Sequence, residues 1–404
     1  MPDPGSGRFV ANRPPALRVL EPMPVDRTLG PNRSLIGVAG GRERLSTPAL
    51  LLDLDVLERN IALMAEQLAA AGHALRPVAK IHKCVEIARR QIRAGALGVC
   101  CATLAEAEVM VDGGIPGVLL FSSVVGPEKI RRLSELNARA DGFIVAIDDP
   151  DNAQQLAAAA ARTGTRLKVL VDFEIGGRRT GLAAIDAACA LARLVADHAW
   201  LEYAGVQAYN GNDQRLPDYH ERARRQAAAV APLRALCERL ASLGLKPDIV
   251  SGGGTGTYAI DPGLGVFTES QAGSYLFMDV NYGATALRED VPHPFGTALF
   301  VLTSVISAAQ PGFVITDAGI KEIAVAEFPP RIARGAPAGA SYDLVGDDLG
   351  RINFADPDDR LQPGARVECI TPKCYATLNL YRVYHCVRGD TLVDIWPIDA
   401  RANW

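Results

Sequence analysis

The stretch Arg76-Pro77-Val78-Ala79-Lys80-Ile81-His82-Lys83-Cys84 places a lysine where a short apolar run gives way to a helical pattern. Ala74 to Lys80 reads as a buried strand. The helical pattern Val85-Glu-Ile-Ala-Arg-Arg-Gln-Ile-Arg-Ala-Gly95 follows at once. A lysine at such a junction in an α/β scaffold can be desolvated, which lowers its pKa and makes it a Schiff-base nucleophile. The position also suits an ordinary surface lysine, so the rest of the chain has to decide. A second candidate is Ser251-Gly252-Gly253-Gly254-Thr255-Gly256-Thr257-Tyr258. Glycines let the backbone approach a ligand closely, and successive N–H groups can form an anion nest, although a plain turn would use the same residues. Arg178 and Arg179, and then Gln207, Tyr209 and Asn210, stand at similar junctions. His82 would face the same way as Lys80 if the strand continued, as a base, a hydrogen-bond partner or a structural histidine.

These residues must be positioned by regular elements. Strand candidates fall at 74–80, 98–102, 117–122, 142–147, 166–173, 202–209, 247–252 and 270–277. Most are separated by amphipathic helices such as Ala105–Asp112, Asp151–Ala161 and Tyr219–Leu243. Strict β-α alternation through eight strands predicts an α/β fold, a (β/α)8 TIM-type barrel. Before it, Ala49 to Leu54 reads as a strand, and Asp55 as the cap of a helix running to about Ala71. After residue 284 the pattern changes to short β runs at 298–307, 312–316, 366–371, 379–387 and 391–396, punctuated by Gly, Pro and Asp. The expected organisation is an N-terminal arm at 1–45, a barrel at 46–284 and a C-terminal β-rich domain at 285–404, with strand 49–54 able to pair into the last.

Composition narrows the classes. The 404 residues are 49% hydrophobic and 22% charged, with a formal net charge of −4. That is an ordinary globular balance with no basic block for nucleic acid. No apolar run reaches membrane-spanning length, and the N-terminus lacks a signal-peptide layout. The eight cysteines have no CxxC spacing, which points to reduced thiols and a cytoplasmic setting.

Barrel enzymes place their sites at the C-terminal ends of the strands, with phosphate often held after strands seven and eight. That rule collects Lys80, Arg179, Tyr209 and the loop Ser251, Gly252, Gly253, Gly254 and Thr255 around one mouth. A lysine opposite an anion nest fits pyridoxal 5'-phosphate: an aldehyde for Lys80, a phosphate for the glycines, and a pyridine nitrogen for an Arg or Tyr.

The stretches Thr47-Pro-Ala-Leu-Leu-Leu-Asp-Leu-Asp55, Arg76 to Lys83, Gln207-Ala-Tyr209, Ser251 to Thr255, Thr268-Glu-Ser-Gln-Ala-Gly-Ser-Tyr275, Asp317-Ala-Gly-Ile-Lys321 and Val393-Asp-Ile-Trp-Pro397 occur in this order over roughly residues 45 to 400. In them the chain resembles the D-threonine aldolase and D-serine dehydratase family, a branch of the alanine-racemase-like pyridoxal phosphate enzymes. The resemblance implies a barrel plus a β domain, and a homodimer with shared active sites acting on a small amino acid. It makes Lys80 the Schiff-base lysine and Gly253, Gly254 and Thr255 the phosphate loop. It also sets Arg179 near the pyridine nitrogen, which a permanently charged donor would keep unprotonated; a salt bridge to Glu174 or Asp172 is the other reading of this arginine. Tyr209 would pack on the ring or supply a proton.

The departures from that pattern matter as much. Many members hold a divalent metal near the substrate's β-hydroxyl through a His and, two residues later, a Cys or Asp. Here Lys373 and Tyr375 stand at those places, in Thr371-Pro-Lys-Cys-Tyr-Ala-Thr377. An ammonium and a phenol are poor substitutes for imidazole, thiolate or carboxylate, so no metal is expected there. His385 and Cys386 are neighbours in a strand and point to opposite faces, so they do not form a replacement site. The reading favoured is a lyase carrying out retro-aldol cleavage of a β-hydroxy D-amino acid, with Lys373 or Tyr375 acting on the β-oxygen. The alternatives are a metal-independent racemase or epimerase, a D-serine dehydratase-like lyase, and a cofactor-binding protein without catalysis.

Overall fold

The computed structural model describes residues 30–401. The first strand, β1 (Ala49–Asp53), precedes an eight-stranded parallel sheet. That sheet is built from β2 (Ala74–Leu75), β3 (Cys100–Cys101), β4 (Leu119–Leu120), β5 (Ile144–Ile147), β6 (Leu167–Asp172), β7 (Leu201–Ala208), β8 (Ile249–Gly252) and β9 (Glu269–Ser270). The strands follow one another from β3 to β9, and β9 pairs with β2. The sheet curls until Val78 bridges Cys100, with Leu97 N–H donating to the Leu75 carbonyl at 2.9 Å, which closes the barrel between β2 and β3. Each of the eight predicted strands has a counterpart, but the last, expected at 270–277, is only Glu269–Ser270, and the chain beyond it winds into a 3-10 turn at Ser274–Leu276. Val169, Leu170 and Val171 of β6 are fully buried, as strands covered on both faces require.

Helices return the chain between strands, and short polar residues start them. Thr103, Asp149 and Asp218 each accept a hydrogen bond from the third residue onward, capping the helices Leu104–Asp112, Pro150–Thr163 and Tyr219–Ser242. The helix Leu54–Ala70 is capped by Asp53, whose carboxylate accepts from Val56 N–H at 3.0 Å, rather than by the predicted Asp55. Asp53 has the extended backbone a cap needs, while Asp55 is already within the first turn and pairs with Arg388.

The second sheet contains β10 (Leu299–Ser307), β11 (Phe313–Thr316), β12 (Arg331–Arg334), β13 (Ser341–Leu344), β14 (Gly350–Asn353), β15 (Arg366–Ile370), β16 (Val383–Arg388) and β17 (Thr391–Pro397). It also takes in β1, which lies between β10 and β16: Leu51 sits opposite Phe300 in antiparallel register and opposite His385 in parallel register. Leu50 and Leu52 of β1, Phe277 from the barrel and Tyr384 of β16 belong to one continuous apolar core. The rings of Phe277 and Tyr384 are 5.9 Å apart. The sheet is thereby fastened to the barrel rather than tethered beside it.

Residues 1–29 of the expected N-terminal arm lie outside the described residues. Within 30–45, two short 3-10 turns occupy Pro31–Leu35 and Gly41–Arg44. Arg42 of the second turn makes a buried two-pronged contact with Glu368, at 2.8 and 2.7 Å.

Candidate active site

Lys80 lies just beyond β2. Arg76 N–H donates to the Ser270 carbonyl and Val78 N–H to the Ala272 carbonyl, so the chain runs extended alongside β9. It then tightens into a 3-10 turn, Ala79–Ile81. The predicted strand 74–80 is therefore shorter, and its last residues form a turn that lifts Lys80 over the barrel mouth. Lys83 adopts a left-handed φ of 53° as the chain swings into the helix Val85–Arg93.

A cleft partly open to solvent occupies this mouth. Lys80, Arg179, Tyr209, Gly254, Thr255 and Tyr375 line it, which brings together six of the predicted residues. Lys80 Nζ lies 5.5 Å from the centroid of the Phe121 ring and 5.9 Å from that of Tyr375. Burial lowers the pKa of Lys80, and the nearby charges of Arg179 and Arg215 lower it further, against a partial offset from Glu106. Desolvation and like charges both favour the neutral form that a nucleophilic or proton-accepting lysine needs.

Arg179 stacks over two rings, 5.2 Å from the Tyr209 centroid and 5.9 Å from that of Phe121. Its loop is folded onto Glu174, whose carboxylate accepts from the Arg179 N–H at 3.4 Å, and is anchored by Thr180 Oγ1 donating to Asp172 at 2.7 Å. Burial raises the pKa of Tyr209, with Arg179 and Arg215 opposing the rise, so its hydroxyl keeps its proton near neutrality.

The glycine loop follows β8. A Cβ on Gly252 would lie 2.1 Å from the Ala208 carbonyl oxygen, and one on Gly254 would lie 2.5 Å from Gln214 Oε1. Gly253 is left-handed, with φ of 66°. Only glycine fits this packing, which leaves Gly254 and Thr255 facing the cleft. Thr255 Oγ1 accepts from the N–H groups of Gly273 and Tyr275, at 3.2 and 3.0 Å, and so ties the loop to the turn after β9.

Ser251, Gly252 and Gly253 lie behind the cleft rather than in its lining. Ser251 donates to Glu269 at 2.6 Å and accepts from Gln271 at 2.9 Å. It belongs to a chain of polar contacts through the barrel interior. Asp172 accepts from Gln207, Gln207 from Gln271, and beyond Ser251 Glu269 clasps Arg76 at 2.8 and 2.9 Å.

His82 departs from expectation. It is fully buried, its Nδ1 accepts from Cys84 N–H at 3.1 Å, and its carbonyl accepts from Tyr384 at 2.6 Å. Burial pushes its pKa down to about 3, and it is absent from the cleft lining. The 3-10 turn breaks the two-residue alternation that would have aligned it with Lys80, and the ring is directed into the core beside Cys84 and Gln91 of the following helix.

The second sheet contributes the opposite wall. Asp279 accepts from Tyr282 N–H at 2.9 Å and from Cys374 N–H at 3.1 Å, which pins the short helix Cys374–Thr377 to the barrel. Tyr375 thus enters the cleft, and Lys373 Nζ lies 5.7 Å from its ring centroid. Cys374 is buried, and its thiol is pushed up by burial and by Asp279. No cluster of three or more His, Cys, Asp or Glu side chains suited to a metal occurs among the described residues. The donors at 373 and 375, an amine and a phenol, do not fit the divalent cation of the resemblance.

Phe121, Gln214, Arg215, Gln271 and Tyr282 also line the cleft and went unpredicted. Phe121 and Gln271 directly follow barrel strands, so the strand-end rule could have found them. Gln214 and Arg215 sit in a loop without periodicity and carry no such signal.

The curled parallel barrel, with a lysine at its mouth and a strand-rich sheet supplying the facing wall, defines an alanine-racemase-like protein. The family description "Alanine racemase, N-terminal domain" matches residues 52–281, and "Putative serine dehydratase domain" matches residues 298–387. A D-threonine aldolase of Arthrobacter sp. is 38% identical over 89% of this chain and 93% of its own length. A 3-hydroxy-D-aspartate aldolase of Paracoccus denitrificans is 35% identical over the same shares of the two chains. The crystal structure of D-threonine aldolase from Filomicrobium marinum superposes with a TM-score of 0.85 at 36% identity, covering 89% of this chain and 96% of that one. The chain belongs to the D-threonine aldolase and D-serine dehydratase family of alanine-racemase-like proteins, a pyridoxal phosphate-dependent family.

Proposed function

We propose that this protein is a pyridoxal phosphate-dependent lyase that cleaves a β-hydroxy D-amino acid into glycine and an aldehyde without a divalent metal. The observation that carries this reading is the shared cleft, where Lys80 faces both the glycine loop and Tyr375, with Lys373 beside that ring but outside the cleft lining. Residues fit the cofactor: Lys80 for its aldehyde, Gly254 and Thr255 for its phosphate, and Arg179 and Tyr209 for its ring. When bound, it supplies an electron-accepting ring for the pair released as the Cα–Cβ bond breaks. Lys80 Nζ holds or accepts a proton near Cα. Tyr375 Oη is suited to donate to the β-oxygen and, with Lys373 Nζ beside it, to relay its proton, the task a metal would otherwise share. Phe121 and Tyr209 restrict water around the amine.

One observation supports a second reading. Lys80 and Tyr375 share the cleft with the Nζ only 5.9 Å from the ring centroid. A base and an acid on two sides of Cα would serve a racemase or epimerase.

The deciding experiment is NMR in deuterated water with pyridoxal phosphate and a chelator, on D-threonine, D-3-hydroxyaspartate, D-serine and their L forms. Glycine with an aldehyde supports the aldolase. A keto acid indicates dehydration, and deuterium at Cα without cleavage indicates racemisation; either of these overturns the proposed reading. We further propose a homodimer, supported by the exposed Ile320, Val325, Phe328 and Val345 along one rim of the second sheet. Light scattering on the purified protein tests it. The eight cysteines are free, seven of them buried, which supports a reducing, cytoplasmic setting. No helix among the described residues is long and apolar enough to cross a membrane.

A further inference from the structure

Beneath the glycine loop lies a carboxyl group that the proposed reaction does not use. Asp261 is 1% exposed. Its Oδ2 accepts from Thr257 Oγ1 at 2.6 Å and its Oδ1 from Gln226 Nε2 at 2.7 Å. Thr257 Oγ1 in turn accepts from the Gly254 N–H at 3.1 Å and from Gln214 Nε2 at 3.2 Å. A Cβ on Gly253 would stand 2.1 Å from Asp261 Oδ2, so the carboxyl is packed directly against the loop backbone. Asp261 is thus two hydrogen bonds from the backbone of Gly254, a residue that lines the cleft.

No cation among the described residues compensates it. The loop presents Thr257, the helix Tyr219–Ser242 presents Gln226, and the 210–218 loop reaches it only through Gln214. Arg222, one turn before Gln226, spends its guanidinium on the carbonyls of Gly256, Leu216 and Ala286. Burial pushes the Asp261 carboxyl up to about 7, against the two hydrogen bonds it accepts. Gln226 Oε1 is buried without a partner. A half-turn of this amide would set an acceptor against Oδ1, so one pocket accommodates both the carboxylate and the carboxylic acid.

We propose that Asp261 is a positioning residue for the anion-binding loop, and that it carries its proton when a phosphate ester occupies Gly254–Thr255, so that binding of the phosphorylated cofactor is coupled to proton uptake at Asp261. The proposal rests on the cofactor reading given above. A phosphate brought to the loop is a second negative charge near an uncompensated carboxylate, and like charges disfavour the ionised form. Linkage then runs both ways: deprotonating Asp261 weakens phosphate binding.

The test is equilibrium titration of the cofactor-free full chain with pyridoxal 5'-phosphate and, separately, with pyridoxal, from pH 6 to pH 8.5, in wild type and Asp261→Asn. The asparagine keeps the shape and cannot ionise. At pH 6 the two proteins should bind pyridoxal phosphate alike. At pH 8.5 the wild type should bind it about ten-fold more weakly than the variant. Pyridoxal, lacking the phosphate, should show no such divergence. A wild-type to variant ratio that stays flat with pH for the phosphorylated ligand overturns the proposal. Failure of either ligand to bind either protein overturns the cofactor reading itself, and this inference with it.

Should Asp261→Asn not fold, calorimetry of the wild type at pH 7 in two buffers of different ionisation enthalpy reads proton uptake directly. Greater uptake with pyridoxal phosphate than the titration of its own ester and the pyridoxal control account for supports the coupling. No excess overturns it.

Discussion

Lys373 Nζ lies 5.7 Å from the centroid of the Tyr375 ring, and these two residues stand where relatives are expected to carry metal ligands. An ammonium over a ring face is an attractive contact of about 0.5–2 kcal/mol. It orders Tyr375 at the cleft wall and Lys373 beside it. The pair can hold an oxygen and relay a proton, which is the part of the chemistry a metal would otherwise support.

Lys373→Ala should lower kcat by about 10² to 10⁴, the usual range for a lost acid–base group, with cofactor binding unchanged. Steady-state kinetics beside a cofactor titration measures both. Chelator should leave the wild-type rate intact. A rate lost to chelator and restored by zinc or manganese would reverse the assignment of this wall.

Lys80→Ala should abolish both turnover and the long-wavelength absorbance that follows cofactor addition, while the far-ultraviolet dichroism stays the same. An unchanged absorption band would remove Lys80 from its proposed role.

Gly254→Ala should weaken cofactor binding, because its Cβ would meet Gln214 Oε1 at 2.5 Å, a side chain that itself braces Gly256 and Thr257. Displacing it costs about 1–3 kcal/mol, or roughly five- to 150-fold in dissociation constant. Cofactor titration of the variant checks this.

Glu269→Ala should destabilise the fold by about 3–5 kcal/mol, since it leaves the buried Arg76 guanidinium without its partner and frees Ser251. Urea denaturation reads the loss. Glu269→Gln should recover part of it by keeping hydrogen-bond acceptance without the charge.

Burial raises the Asp172 carboxyl to about 6, against the hydrogen bonds from Thr180 and Gln207. The folded protein therefore holds a proton between about pH 4 and 6 that the unfolded chain has released. The stability contribution is full below the unfolded value and is lost as pH rises towards 6, at about 1.4 kcal/mol per unit. Asp172→Asn should remove this slope. Urea midpoints of the two proteins at pH 4.5 and 7 measure the difference.

Much of this molecule could be read from residue order. Alternating strands and helices announced the barrel, and the strand-end rule collected Lys80, Arg179, Tyr209, Gly254 and Thr255 without any contact map. It failed where local geometry overrode periodicity. Pro77 and the 3-10 turn at Ala79–Ile81 end the strand early, so His82 turned into the core. Strand β12 was missed because it carries little apolar signal: Arg331 and Arg334 are exposed and only Ile332 and Ala333 lie between them. Arg215 reaches the cleft from an irregular loop, and nothing about its neighbours in the chain distinguishes it from a surface arginine.

The place of β1 between β10 and β16 sets a timetable for the chain. Leu51 is made early, yet its partner His385 comes near the end. During synthesis the barrel segments can find their own neighbours while β1 has none, an apolar ribbon with both edges open. Such a topology closes its longest loop last, which slows the final step and leaves a sticky intermediate before it. Loss of the last strands would strip β1 of its parallel partner and leave it bordering an open edge, so a shortened chain should collect in aggregates rather than survive as a free-standing barrel.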